Sequence, residues 1–368
     1  MKNQLLIAST VVLLLQTALS VGPAHAQSSG KKPGTVKPKP TVQKTAKPTG
    51  TVVLGTTQLP GDFGKLGTTY TIGKSMPINF TLKSADYSVV PVTVGTNTWV
   101  PKANEKLLVL HYTIHNPLPQ EQRYYWADIL FTGVDAKDTN HNFIQAVVRE
   151  GEVQPLSIQL KPAQKLDVSA AIMVPAEGVV PKLIVEREKG APVIRYDLRG
   201  KVTPLPAGYG DPADTTGATA LKEVPAQAGV FYPTGVFDTR LDEIAYVAGP
   251  LIKREAGEGK RFLTAIFTIK NRTASAQRYV WSDFIPDLRD ADGEKVAYTQ
   301  ALLKPTRDET TDGELAAGEE ARIRFFFPLP ADVAGKTLRL TEGKQISASA
   351  ARVFAFDLTA APVKTVQK

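Results

Sequence analysis

Residues 113–135 and 268–290 are one segment written twice: nine of the 23 paired positions are identical without a gap. Thr113-Ile114-His115-Asn116 recurs as Thr268-Ile269-Lys270-Asn271. Gln122-Arg123-Tyr124-Tyr125-Trp126-Ala127-Asp128 recurs as Gln277-Arg278-Tyr279-Val280-Trp281-Ser282-Asp283. The spacing of 155 residues holds on through Gln145/Gln300, Ala146/Ala301, Leu160/Leu315 and Pro175/Pro330. It becomes 160 where Tyr196-Asp197-Leu198 answers Phe356-Asp357-Leu358, so the second copy gains five residues before its last strand. Solenoid units run to about 20–50 residues, so a period this long predicts two domains. Their boundaries read as 51–203 and 225–360, with a Pro- and Gly-rich linker over 204–224 and a tail over 361–368.

Each copy reads as strands. Leu108, Leu110, Tyr112 and Ile114 alternate with a more mixed set, as do Leu263, Ala265, Phe267 and Ile269 one repeat later, and a period of two marks a half-buried strand. Further β-rich runs lie at 86–94, 142–149, 165–174, 181–186 and 192–198, with counterparts at 240–247, 296–303, 320–328, 336–341 and 352–358. Turn signals such as Asp292-Gly293, Ala317-Gly318 and Pro162-Ala163 separate them, and no amphipathic helix of useful length competes. The expected fold class is all-β: two tandem immunoglobulin-like β-sandwich domains behind a disordered Lys/Pro-rich segment. The chain has no cysteine, so neither disulfides nor thiolate metal sites are available and stability must come from core burial.

A pattern of turn and core residues carries a resemblance. Asn271, Asp283-Phe284, Leu288, Asp290, Asp292-Gly293, Leu315, Gly318-Glu319, Phe327 and Pro330 make the second copy similar to the immunoglobulin-like domain of unknown function common in bacterial secreted proteins and lipoproteins, related in fold to a mycobacterial immunoprotective extracellular antigen. The first copy resembles it through Asn116, Asp128-Ile129, Asp135, Leu160 and Pro175, with Ala163 where the glycine is expected and no Asp-Gly turn. The resemblance implies a sandwich fold and no catalytic residues.

Residues 1–26 read as a secretory signal: Lys2, a mostly apolar stretch from Leu5 to Leu19, and Ala24-His25-Ala26 before Gln27. The protein is therefore expected to be exported to the periplasm, cell surface or medium, with no transmembrane span after cleavage. Residues 27–50 are Lys-, Pro- and Thr-rich with little to bury and are expected to be disordered, either a spacer or a cationic tether. Residues 1–50 hold seven lysines and no acid, so of the net charge of +8 only +1 belongs to the rest of the chain. A nucleic-acid binder would carry its basic patch on a folded surface, which excludes that class here.

Few residues offer chemistry. Gly67-Thr68-Thr69-Tyr70-Thr71-Ile72-Gly73-Lys74-Ser75 has five residues between its glycines where a phosphate loop has four, and reads as a β-turn. His111 and His115 have a helical zinc spacing, but on a strand four residues span about 13 Å, too far for one ion. Asp290, Asp292, Gly293 and Glu294 lack the spaced ligands of a calcium loop and read as a hairpin turn. In the twin motif, a strand would put Tyr124, Trp126 and Asp128 on one face, and Tyr279, Trp281 and Asp283 likewise, with Arg123 and Arg278 on the other. Two readings stand for it: an aromatic–carboxylate surface for a sugar or peptide, or a core requirement with both tryptophans largely buried, which recurrence in both copies favours. Trp99, opposite Arg254 at the same spacing, is the candidate contact peculiar to the first copy if its ring is exposed; the other reading, slightly favoured, is that it caps the end of the sandwich core. No cofactor is expected. The expected function is a non-enzymatic binding or adhesion module of the envelope, contacting an envelope polymer or another protein. The alternatives are a structural spacer and a carboxylate-dependent hydrolase.

Overall fold

The computed structural model describes residues 63–365, so the signal expected at 1–26, the Lys/Pro-rich segment expected to be disordered at 27–50, and residues 51–62 and 366–368 lie outside the described residues. The described chain is all-β, its one helical element being a single 3-10 turn at Trp281–Asp283. Strands pair within 69–203 and within 223–365, which gives two lobes, each with its own buried cluster.

In the first lobe, Thr69–Ile72, Ile78–Ser88, Glu105–His115 and Lys165–Pro175 form one antiparallel layer, and Leu130–Val134, Lys182–Glu186 and Ile194–Asp197 form the facing one. Asn140–Arg149 pairs with strands of both layers and joins them. The alternation of Leu108, Leu110, Tyr112 and Ile114 is used as expected: all four are buried against Phe131, Leu183, Val185 and Tyr196 of the opposite layer. In the second lobe, Phe237–Val247, Lys260–Asn271 and Glu320–Pro330 face Phe284–Asp290, Gly335–Glu342 and Val353–Asp357, over Phe267, Phe284, Phe325 and Phe356.

The ladders repeat in register. Lys165 pairs with His115 and Pro175 with Glu105; 155 residues on, Glu320 pairs with Lys270 and Pro330 with Lys260. Leu183 pairs with Tyr196 and Leu338 with Phe356, which is the change of spacing to 160. A β-bulge follows Leu82 in one lobe and Leu241 in the other.

Three expectations are corrected. The run at 296–303 is not a strand: after Lys295–Val296 the chain leaves the sheet, and Leu303 bridges to Arg324 within a small apolar cluster with Leu251, Phe262 and Phe326. The strand expected at 86–94 is instead Ile78–Ser88 followed by a short hairpin of Val92–Val94 with Asn97–Trp99. The ends of the second unit are also wider than 225–360, because Glu223–Ala226 pairs in parallel with Val353–Phe356 and Val363–Thr365 with Ile244–Tyr246.

Residues 204–222 are folded rather than slack. Leu205 N–H donates to Gly217 O at 3.0 Å, Asp211 N–H to Thr219 O at 2.8 Å and Leu221 N–H to Tyr209 O at 2.8 Å. The Asp214 carboxylate accepts from Thr216 and Thr219, which holds its pKa well below the usual range. This clasp lies on the end of the first lobe over Lys106. Lys106 is in phase with Leu108 and Leu110, so its side chain points inward, and it is 0% exposed. Its ammonium sits 4.5 Å from the Tyr87 ring centre and donates to the carbonyls of Ala176 (3.0 Å), Gly178 (2.5 Å) and Ala218 of the clasp. Burial lowers its pKa to about 8, while three carbonyl acceptors make the buried charge tolerable.

The second lobe adds its own tie. Arg352 is buried and donates to Leu221 O at 2.8 Å and Glu105 O at 2.9 Å; Ala103 N–H donates to Ala350 O at 2.7 Å. Ala350 and Arg352 lie in the longer connection that the second copy has before its last strand, so the five-residue gain builds the joint.

Candidate functional site

The twin motif divides into an inner and an outer part, because the chain leaves the strand before it ends. The strands cover only Gln122–Tyr125 and Gln277–Tyr279, so the single face through Asp128 and Asp283 does not exist. Tyr124 and Tyr279 point into the cores. Each aspartate closes the turn after its strand: Asp128 Oδ2 accepts from Tyr125 N–H at 3.1 Å, and Asp283 Oδ2 from Val280 N–H at 3.1 Å. Burial raises both carboxyl pKa values. The strand-end asparagines are spent in the same way. Asn116 donates to the carbonyls of Gln120, Leu160 and Lys161, and Asn271 to those of Ser275, Leu315 and Ala316.

The tryptophans do not follow them inward. Trp126 is half-buried against Phe143, and Trp281 is 39% exposed, which corrects the expectation that both are largely buried. The position corresponding to Phe143 is Tyr298, whose ring packs on Phe325 and Phe327 instead of reaching Trp281. Arg123 and Arg278 are exposed on the expected face. In the first lobe Arg123 stands 5.5 Å from the Tyr125 ring centre, and Tyr125 meets Trp126 edge-on at 6.3 Å. In the second, Val280 replaces Tyr125, and Lys344 donates to Arg278 O at 2.6 Å and approaches Asp283 at 3.8 Å. Each lobe thus presents an exposed arginine and, three residues on, a tryptophan that is not fully buried, with cationic or aromatic neighbours.

Trp99 sits on the return leg of the Val92–Trp99 hairpin, half-buried over Val94, Leu107, Ala146 and Val148, so much of its ring serves a small apolar cluster. His111 is held between Asp86 at 2.8 Å and Glu150 at 3.2 Å, and His115 Nδ1 meets the Asn79 amide at 3.1 Å, so the two rings have separate partners. Among the described residues no group of three or more His, Asp or Glu is arranged to hold a metal ion. The Gly67–Ser75 segment is a hairpin arm, yet its loop does bind an anion, the protein's own: Lys74 and Ser75 N–H donate to Glu188 at 2.9 and 3.1 Å. These bonds lower the Glu188 pKa. At Asp290–Glu294 the hairpin turn is present, with Gly293 at φ +84°; the first lobe makes the same turn with Asp138 at φ +59°, although it has no Asp-Gly pair.

The cavities are modest. One of about 20 Å³ lies at the joint, lined by Val89, Pro101, Pro233, Glu342, Arg352 and Phe354, with room for one water. A shallow groove of about 500 Å³ crosses the outer face of the second lobe between Glu223, Lys336 and Asp357. Lys106 and Arg352 escaped the sequence reading. The signal for Lys106 was its phase with Leu108 and Leu110; for Arg352 it was its place in the five-residue gain.

No protein family matches the sequence, and no curated protein does. Among solved structures, an uncharacterized β-sandwich protein of Clostridium difficile is similar at 14% identity over 36% of this chain and 91% of its own, with a TM-score of 0.27. The yjhA protein of Bacillus subtilis is similar at 15% identity over 36% of this chain and 98% of its own, with a TM-score of 0.25. A secreted protein of Mycobacterium tuberculosis is similar at 12% identity over 37% of this chain and 96% of its own, with a TM-score of 0.26.

Proposed function

We propose that this chain is a non-enzymatic exported protein of the cell envelope. Its two lobes are immunoglobulin-like domains arisen by duplication, and they bind an anionic envelope polymer through the paired arginine–tryptophan flanks. The observation that carries this reading is the split within the twin motif. Asn116/Asn271, Tyr124/Tyr279 and Asp128/Asp283 serve the fold, whereas Arg123/Arg278 and the outer faces of Trp126 and Trp281 serve no internal contact of comparable extent. An indole face stacks on a sugar ring and a guanidinium pairs with carboxylate or phosphate, so the two together suit a charged polysaccharide. Two such stations on one body gain from repetition, because the second contact forms at a high effective concentration.

The test is sedimentation with isolated cell envelopes. Trp126→Ala and Trp281→Ala should each weaken binding about tenfold, and the double variant should lose more than about 100-fold, as avidity requires. Unchanged binding in the double variant overturns the assignment. Loss on Trp99→Ala, or on deleting residues 27–50, would move the contact to those places.

A further inference from the structure

We propose that the end of the second lobe away from the joint is a docking seat for residues Gly55–Leu59 of a second copy of this chain, so that copies associate head to tail. The seat is known from the first lobe, where it is occupied. There Lys106 stacks on Tyr87, whose hydroxyl accepts from Val180 N–H at 2.8 Å. The clasp covers this group with three contacts: Ala218 O accepts from Lys106, Thr219 Oγ1 accepts from Gly178 N–H at 3.1 Å, and Ala220 N–H donates to Ala176 O at 2.8 Å.

The second lobe repeats the seat without the cover. Arg261 lies 4.0 Å from the Tyr246 ring centre and donates to Val333 O at 3.2 Å, and Tyr246 hydroxyl accepts from Gly335 N–H at 3.2 Å. Among the described residues nothing takes the place of residues 218–220. Ala176 is 7% exposed under the clasp, whereas its counterpart Ala331 is exposed. Arg261 Nε is shielded from water yet has no hydrogen-bond partner.

The occupant follows from a third spacing. Gly64 pairs with Tyr196 as Ala226 pairs with Phe356; Lys65 N–H donates to Tyr70 hydroxyl as Gln227 N–H does to Tyr232; Gly67 N–H donates to Leu82 O as Gly229 N–H does to Leu241 O. All three give 162 residues between counterparts (226 − 64, 227 − 65 and 229 − 67). Carried back without a gap, this spacing sets Gly55, Thr57 and Leu59 against Gly217, Thr219 and Leu221, identical at each position. Gly217 is at φ +63°, and a Cβ there would stand 2.7 Å from Pro204; Thr219 makes the seat contact, and Leu221 packs on the second lobe's core. The chain leading into the first lobe therefore carries the residues with which the chain leading into the second lobe docks.

One copy cannot satisfy itself. Phe237 lies toward the joint and Tyr246 at the seat, about 30 Å along one strand. Gly64, which follows residues 55–59 in the chain, lies beside Ile194, the counterpart of joint-lining Phe354, at the end of the first lobe away from the joint. The contact between copies lacks the bonds of Ala350 and Arg352, since the first lobe has no five-residue gain, and it is accordingly weaker than the internal joint.

Sedimentation velocity of the chain from Gln27 tests the proposal, up to about 1 mM, where a weak contact is populated. The expected result is a sedimentation coefficient that rises with concentration. Ala331→Arg, on the exposed seat, and Leu59→Asp, in the segment, should each leave a monomer. An equimolar mixture of the two variants should form a dimer and nothing larger, because one intact seat and one intact segment remain. A monomer at every concentration overturns the proposal. So does association that survives either variant, or two monomeric variants that stay monomeric when mixed.

Discussion

At one end of the first lobe a lysine is sealed beneath a folded clasp; at the same end of the second lobe an arginine stacks on the corresponding tyrosine, and none of the described residues lies over it as the clasp does. The three long paired strands beneath, with their bulge and registers, are alike, and the ends differ in what the chain does after the last strand of each lobe. Val202–Thr203 and Val363–Thr365 both add a parallel strand to the same place, but only the first is followed by described residues that turn back over the cation. Among the described residues one scaffold thus carries a covered end and an uncovered one, and the residue at the pivot differs accordingly. A compact ammonium is enclosed by carbonyls, whereas the guanidinium stays partly in water.

The sharpest way to break the equivalence of the lobes is through the residues they share. Asn116→Ala and Asn271→Ala each leave three carbonyls without a side-chain donor, and each should cost about 3 kcal/mol in chemical denaturation. A difference above about 1 kcal/mol between the two would trace to what each Oδ1 accepts, Gln122 Nε2 at Asn116 and Thr273 Oγ1 at Asn271, since the three donor bonds correspond.

The closed and open ends should diverge next. Lys106→Met strips a donor from Ala176, Gly178 and Ala218 under the clasp and should cost about 2 kcal/mol, whereas Arg261→Met, at the open end, should cost less than about 1 kcal/mol. Equal costs in thermal melts would mean that the clasp contributes little to holding Lys106.

The smallest effect concerns one turn. Ala163 and Gly318 occupy the same left-handed position, at φ +60° and +74°, each donating its N–H to the strand-end asparagine carbonyl. A Cβ is disfavoured there, so Ala163→Gly should stabilise by about 0.5 kcal/mol and Gly318→Ala should destabilise by about 1 kcal/mol. Melting curves of the two variants moving in the same direction would refute the equivalence of the turns.

These pairs show where the sequence was legible. Period-two alternation identified the core faces, and the fixed spacing located the paired strands because register is set by which residues must face the core. The turns were half-legible: Asp292-Gly293 announced one, but Asp138 and Ala163 adopt left-handed backbone without a glycine, held there by neighbours rather than by their own preference. The candidate site was misread at its tryptophans. The motif is kept in both halves, but the exposure of Trp281 depends on where Tyr298 packs, 17 residues away, and no local pattern encodes that.

The all-β class, a segment written twice, the core-facing residues of the longest strands and the extra residues before the last strand are legible in the sequence, because each is written in spacing and alternation. It is the folded chain that shows those extra residues carrying Ala350 and Arg352 into a joint, residues 204–222 folding into a clasp over Lys106, and no described residue covering the matching end of the second lobe. Each of these is a contact between segments far apart in the chain, and whether a polar group is enclosed or exposed is settled by what arrives to cover it, which spacing along one strand does not record.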